Sequence, residues 1–287
     1  MITMQGFLNI YKPSGITSSK VVTSIKKRFH IDKIGHMGTL DPMACGILPI
    51  AIGKATRMFD YFLDKTKSYI AHFDFSYTTD TLDKTGETIE KSTRIVNEND
   101  IIKTLPSFLG NISQIPPQYS AKSVNGKRAY DYARSGEYVE LKPKDITIYK
   151  LDLLRKIDDN VFEFLITCSS GTYIRSLARD LASSMGVCGC MTFLERIESG
   201  KFLKNNSIEL DKLLEKDNLY DFLIPIENIF ENFDRIILDD ETRKVLDGQT
   251  KIVQIKDGKY LLFDAEKLVG IGEVNKKHLK MITYLKE

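Results

Sequence analysis

Apolar and polar positions change period several times along this 287-residue chain. Gly6–Tyr11 is a short apolar run and reads as a strand. Thr17 or Ser18 then caps a predicted helix whose apolar positions, Val21, Val22, Ile25 and Phe29, recur at spacings of three and four. A glycine-punctuated loop from Gly35 to Gly46 leads into the apolar run ILPIAIG. Ala55, Met58, Phe59 and Phe62 fall on one face of the next predicted helix. At Tyr69, Ala71, Phe73 and Phe75 the period drops to two, with Ile70, His72 and Asp74 on the other side, which predicts a strand. A polar turn region follows from Thr79 to Gly86.

Residues 97–109 return to helical spacing, with Ile101, Ile102, Leu105 and Phe108 expected inward. Two strand-like runs occupy 144–168, and 172–185 reads as a helix with Ile174, Leu177, Ala178 and Leu181 inward and Gly186 as its stop. Met191–Ile197 is a further predicted strand, and 201–230 an acidic helical connector. From Arg235 the texture changes to short strands (RIIL, KIVQI, KYLLFD, KLVGIGEV, KMITYL) with one short helix near 240–247. The expected fold class is α+β: a large mixed-sheet domain over 1–231 and a small β-rich domain over 232–287.

Composition narrows the chemistry. Hydrophobic residues make up 42% of the chain, enough for a real core, and no apolar run is long enough to span a membrane. The segment MITMQGFLNIYKPSG has no basic stretch ahead of an apolar one, so a cytoplasmic location is expected. The four cysteines and four histidines fit no familiar zinc or metalloprotease spacing, and neither metal nor cofactor is expected. Net charge is only +2 but uneven: residues 1–60 are basic, 201–240 acidic and 241–287 basic again, which suits a polyanion contacted at two places.

The densest group of special residues is GHMGTLDPMACGILP, from Gly35 to Pro49, a stiff and sharply turning stretch. Asp41, pushed toward an extended conformation by Pro42, is either a catalytic carboxylate or a turn residue. His36 is either functional or a hydrogen-bonded structural residue. Arg175, beside the apolar face of its helix, is a partner for a carboxylate at a site or in a structural ion pair. Tyr69 on spacing alone is a core tyrosine. The segment PPQYSAKSVNGKRAYDYARSG mixes cations and aromatics, as nucleic-acid-gripping segments and ordinary solvated loops both do.

Several of these motifs together resemble one family. LNIYKPSGITS, GHMGTLDPMACGILPI, KSYIAHF, IPPQYSAKSVNGKRAYDYARSG and CSSGTYIRSLARDLA occur in the order found in bacterial tRNA pseudouridine synthases of the TruB type. The resemblance implies isomerisation of the T-loop uridine at tRNA position 55, exchanging the N1–C1′ for a C5–C1′ bond after the base is flipped out. By matched position it implies Asp41 as nucleophile, Tyr69 stacking on the target base and accepting a proton, and Arg175 pairing with Asp41. His36 would enter the T loop, Leu194 would lie in the active site, and Tyr173 and Lys12 in or near the pocket. Residues 115–142 would be an RNA-gripping insertion, with Lys127 and Arg128 on phosphates, and 232–287 a PUA-like RNA-binding domain. Where the family usually has Arg-Thr-Asp-Thr, this chain has Thr78-Thr79-Asp80-Thr81, so Asp80 is retained without the arginine before it. The expected partner is the tRNA T stem-loop, with no membrane and no protein partner, and the expected state is a monomer. The competing expectations are a guide-RNA-dependent relative, a non-catalytic RNA-binding protein, and a carbohydrate hydrolase using Asp41 and Asp80.

Overall fold

A computed structural model describes residues 4–61, 66–120, 122–124 and 126–285. Its frame is a ten-stranded mixed sheet. Along the main path the strands are Ile208–Glu209, Gly6–Lys12, Cys45–Ile52, Cys190–Ser199, Lys67–Asp74, Val161–Cys168, Lys144–Asp158 and Gly110–Gln114. Cys45–Ile52 runs antiparallel to Gly6–Lys12 but parallel to Cys190–Ser199, where Gly46 lies opposite Arg196. Lys67–Asp74 pairs antiparallel on the other side of Cys190–Ser199 and places Tyr69 opposite Arg196.

The strands Gly6–Lys12 and Cys45–Ile52 are apolar almost throughout because both of their faces are buried. Their period of two divides them between two cores. Leu8, Ile10, Leu48, Ile50 and Ile52 pack under the helices Ser18–Phe29 and Ile174–Ser184, together with Val21, Ile25, Tyr69, Phe73, Leu177 and Leu181. Phe7, Ile47 and Ala51 point the other way and pack with Phe202, Phe230, Phe233 and, from the C-terminal part, Leu261, Phe263, Ile271 and Leu285. Thr17 caps the first helix by accepting from the Lys20 amide, and His30 closes it in the left-handed conformation.

The C-terminal part is a five-stranded sheet ordered Asp234–Ile237, Gly258–Asp264, Lys267–Asn275, His278–Tyr284 and Lys251–Ile252, with a short 3₁₀ turn at Thr242–Asp247. It has a small core of its own around Val245, Leu262 and Leu279. Beyond the shared core, Lys54 donates to the Leu285 carbonyl (2.7 Å), Arg57 to the Tyr284 carbonyl (2.9 Å) and Thr283 to the Tyr61 hydroxyl (2.6 Å).

Some sequence expectations are corrected. The predicted helix over 97–109 is the helix Glu98–Thr104 followed by a 3₁₀ turn, because Pro106 has no amide to continue the ladder, and Ile102 faces solvent rather than the core. The element after Ile52 is a 3₁₀ helix, Gly53–Tyr61. Its tighter winding keeps Ala55 and Met58 inside and turns Phe59 out; Phe62 lies outside the described residues. The acidic connector is no single helix but short pieces, including Leu210–Leu214 and Ile226–Ile229. Within 115–142 a two-residue-per-strand hairpin, Ser123–Val124 with Lys127–Arg128, precedes the helix Ala129–Arg134; Ala121 and Asn125 lie outside the described residues.

Because Phe7, Ile47 and Ala51 depend on the C-terminal sheet for cover, truncation after residue 232 uncovers a core. The truncated chain is expected to lose at least several kcal/mol of stability, visible as a large fall in Tm by calorimetry. An unchanged Tm would mean that the two sheets are energetically independent.

Candidate active site

The segment from Met37 to Ala44 joins the strand Ile34–His36 to Cys45–Ile52 and carries Asp41 at its centre. Proline and glycine deny it regular structure, so its buried backbone groups need other partners. Every carbonyl from Gly38 to Met43 has one. Arg196 donates to Gly38 (3.3 Å) and Thr39 (3.2 Å), and the Ser18 hydroxyl donates to Leu40 (3.0 Å). The Ala44 amide donates to Asp41 (3.1 Å), Gly15 and Lys12 donate to Pro42, and Ser14 donates to Met43 (2.7 Å). Ser18 also accepts from the Leu40 amide at 2.9 Å. Gly46 ends the segment at φ +106°, and a Cβ there would lie 2.2 Å from the Arg196 carbonyl oxygen, so only glycine allows this close strand approach.

Arg175 enters from the first turn of the helix Ile174–Ser184. Its Nε lies 3.0 Å from Asp41 Oδ2 and its Nη2 3.2 Å from Oδ1, a two-pronged grip that fixes both the position and the plane of the carboxylate. The guanidinium is itself held by the carbonyls of Thr81 (2.9 Å) and Tyr119 (2.9 Å), and Asp83 Oδ2 lies 3.7 Å from Nη1. Arg175 is buried, whereas the Asp41 side chain is 34% exposed, so the held carboxylate is open on one side. The helix start is set by a reciprocal pair. The Tyr173 amide donates to Gln114 Oε1 (2.8 Å), and Gln114 Nε2 donates to the Tyr173 carbonyl (3.2 Å).

Tyr69 is buried on the helix side of the sheet, and Leu194 lies beside it, opposite Ala71. Burial pushes the Tyr69 phenol up to about 12, opposed by the charge and hydrogen bond of Arg196. His36 ends its strand opposite Ile50 at the mouth of a groove of about 340 Å³. Burial and the Arg196 charge lower its imidazole below the ordinary range, so the ring is neutral near pH 7, and among the described residues its buried Nδ1 has no partner.

The structure thus brings Asp41 and Arg175 into contact and sets Arg196 between Tyr69 and the Asp41 segment; Leu194 shares a strand with Arg196, Tyr173 heads the Arg175 helix, and His36 lines a groove with Gly38 and Thr39. Two sequence-selected residues lie elsewhere. Lys12 is fully buried beneath the segment, with its ammonium on the carbonyls of Pro13 (2.9 Å), Ile16 (2.8 Å) and Pro42 (3.3 Å), so it holds backbone and does not line the open side. Asp80 is tied into its turn by the Glu87 amide (2.8 Å); it is Asp83 that approaches Arg175, fixed by Thr81 Oγ1 and by the amide and hydroxyl of Thr85. Lys127 and Arg128 are exposed on the hairpin, Lys127 over the Tyr132 ring at 4.4 Å. The insertion reaches the site through the Tyr119 carbonyl.

Sequence reasoning missed Arg196, Asp83 and Gln114. The signal for Arg196 was available: it stands two residues after Leu194 in a strand, hence on the same face. Among the described residues, no group of three or more His, Cys, Asp or Glu side chains is arranged to hold a metal ion, and no helix is long and apolar enough to cross a membrane.

Burial lowers the Lys12 amine to about 8. In the unfolded chain it titrates near its usual value, so between pH 8 and about 10.5 the unfolded state holds more protons and stability rises with pH. The cost of burying this charge is present below pH 8 and is relieved above it. Lys12→Met is expected to remove that rise, seen as a flatter dependence of unfolding free energy on pH between 8 and 10. Equal slopes in the two proteins would show that Lys12 titrates normally in the folded chain.

Comparison with known proteins gives a consistent result. Residues 26–174 match the model for the TruB family pseudouridylate synthase N-terminal domain, and residues 175–231 match that for the tRNA pseudouridylate synthase B C-terminal domain. The chain is 42% identical to tRNA pseudouridine synthase B of Clostridium novyi (strain NT), covering 97% of this chain and 98% of the relative. It is 38% identical to the enzyme of that name in Aquifex aeolicus (strain VF5), covering 94% and 96%. Among solved structures, a chain of a Cbf5–Nop10–Gar1 complex superposes with a TM-score of 0.70 at 25% identity, covering 98% of this chain and 84% of that one. A chain of an H/ACA ribonucleoprotein bound to a substrate RNA superposes at 0.71 and 24% identity, covering 98% and 85%, a likeness of fold.

Proposed function

The chain belongs to the TruB family of pseudouridylate synthases, which isomerise uridine to pseudouridine in tRNA, and we propose that its own target is the T-loop uridine at position 55, with Asp41 as the nucleophile. The observation that carries this reading is the two-pronged Arg175–Asp41 pair, a buried cation holding a part-exposed carboxylate in one orientation. Breaking the N1–C1′ bond develops positive character on the sugar. An oriented carboxylate meets that charge by bonding to C1′ or by stabilising it in place.

A uridine stacked in a T loop has to leave the stack, at a cost of roughly a few kcal/mol, before Asp41 can reach C1′. Neutral His36 sits at the rim of the site and is suited to fill the vacated place without bringing a second charge beside the reacting sugar. Tyr69 and Leu194 supply the apolar walls that receive the base, with Tyr173 at the head of the arginine-bearing helix. Lys127 and Arg128 meet phosphates from the insertion, and the C-terminal sheet, read as a PUA-like domain and basic over 241–287, adds a second RNA contact. In this reading the protein acts in the cytoplasm as a single chain, without a guide RNA or a protein partner.

Purified protein incubated with an unmodified tRNA transcript is expected to give a single new carbodiimide-dependent primer-extension stop at position 55, and Asp41→Asn is expected to give none. Tight tRNA binding without modification would favour a guide-dependent or purely binding role. A second measurement tests the insertion. Replacing Lys127 and Arg128 together by Gln should lower the slope of log K against log salt by roughly 1–2, measured by filter binding. An unchanged slope would take these side chains off the phosphates.

A further inference from the structure

Among the described residues Arg196 is one of the largest side chains that are fully buried, and its charge is not neutralised: none of their carboxylate oxygens lies within 4 Å of its guanidinium. Its donors go to neutral groups, Nε to the Ile47 carbonyl (2.6 Å), Nη1 to Thr39 (3.2 Å) and Nη2 to Gly38 (3.3 Å), and its strand position sets it beside Tyr69. The register makes that placement unavoidable. Tyr69 is paired directly across from Arg196 on the adjacent strand, so the two side chains leave the same face. Gly46 on the other flank adds no side chain between Arg196 and the Asp41 segment. Burying a cation without a counter-charge is costly, and it is most readily understood where a negative charge develops beside it transiently.

We propose that Arg196 is a positioning residue whose charge stabilises the developing phenolate of Tyr69 while the C5 proton of the rotated base is transferred. The proposal rests on the pseudouridine-forming reading above. After the C5–C1′ bond has formed, C5 carries both the sugar and its hydrogen. Tyr69 gives its hydroxyl proton to the N1 lone pair, and the phenolate so formed takes the C5–H proton. The C5–H electron pair closes the C5=C6 bond as the N1=C6 π pair moves onto N1. The atoms and charge balance with no outside reagent, and the only unfavourable species is a phenolate-like oxygen. Besides Arg196, the titratable groups acting on that oxygen are Asp41 and Cys168, and both oppose ionisation of the phenol. Arg196 is thus the cation that favours it.

The test uses tRNA transcripts carrying uridine or 5-deuterouridine at the target, under single-turnover conditions with enzyme in excess. Arg196→Gln is expected to slow pseudouridine formation about 10²-fold, with tRNA affinity unchanged and a C5 deuterium isotope effect larger than in the parent. Arg196→Lys, which keeps the charge, should recover much of the rate and bring the isotope effect back toward the parent value. A purely structural role would slow both isotopologues equally and leave the isotope effect where it was, and that result would overturn the proposal. If neither variant folds, 3-fluorotyrosine at position 69 with Arg196 intact decides it. The more acidic phenol should change the rate of the C5 step, and a rate indifferent to that acidity would overturn the proposal. Absence of product from the parent enzyme would instead remove the underlying reading.

Discussion

The irregular, partly buried backbone of the Asp41 segment needs donors, and the rest of the site is arranged around supplying them. A segment interrupted by Gly38 and Pro42 forms neither helix nor ladder, yet every carbonyl from Gly38 to Met43 has a donor from the protein. Two buried cations, two serines and two amides supply them. Arg196 takes the entering half of the segment and Lys12 the leaving half, with the Ser18 hydroxyl clamping both backbone groups of Leu40 between them. The segment is therefore rigid before any substrate arrives, and Asp41 needs only Arg175 to fix its last degree of freedom. Neutral donors would serve the carbonyls equally well. Charged ones also set a positive field under the site, felt by Tyr69 and His36.

The sheet has a double duty that follows from its central strands. Because residues of Gly6–Lys12 and Cys45–Ile52 alternate between a helix-covered core and one shared with the C-terminal sheet, the same backbone that anchors the Asp41 segment also docks the basic C-terminal part. The C-terminal sheet is thereby held in fixed relation to the carboxylate. The Tyr119 carbonyl makes a comparable link for the insertion, since it is one of the groups that hold Arg175. Movement of 115–142 would be felt at the ion pair through that bond and along the arginine-bearing helix through the Ile115 carbonyl, which accepts from Ser176 and Arg179.

Local sequence was sufficient wherever local physics decides. The period of two over Tyr69–Phe75 and the spacing of Ile174, Leu177, Ala178 and Leu181 predicted the strand and the helix that carry Tyr69 and Arg175, because each face of an element reports its own burial. The stiff, turning character of Gly35–Pro49 was equally plain from its glycines and prolines. The same reasoning placed Ile102 and Phe59 inside, where the structure turns them out. Ile102 stands about 100° around its helix from the buried Ile101, and the change to 3₁₀ winding turns Phe59 away from Ala55 and Met58.

Everything that depended on distant partners was decided only by the tertiary structure. Asp41 and Arg175 stand 134 residues apart, and Arg196 stands 157 from the carbonyl of Thr39 that it holds, so no local pattern relates them. Lys12 is placed in or near the pocket by the family resemblance alone. Here the carbonyls of Pro13, Ile16 and Pro42 converge on it and satisfy the ammonium indoors. Asp80 and Asp83 are indistinguishable as letters in a polar turn; backbone amides and hydroxyls from Thr81 and Thr85 turn Asp83 inward to Arg175, while the Glu87 amide keeps Asp80 in its own turn. By itself the sequence determined most of the elements, a stiff loop carrying one carboxylate and, far along the chain, a helix start carrying an arginine. Which charges meet, and which are buried to hold backbone, was set by strand register and by the need to pair every buried carbonyl.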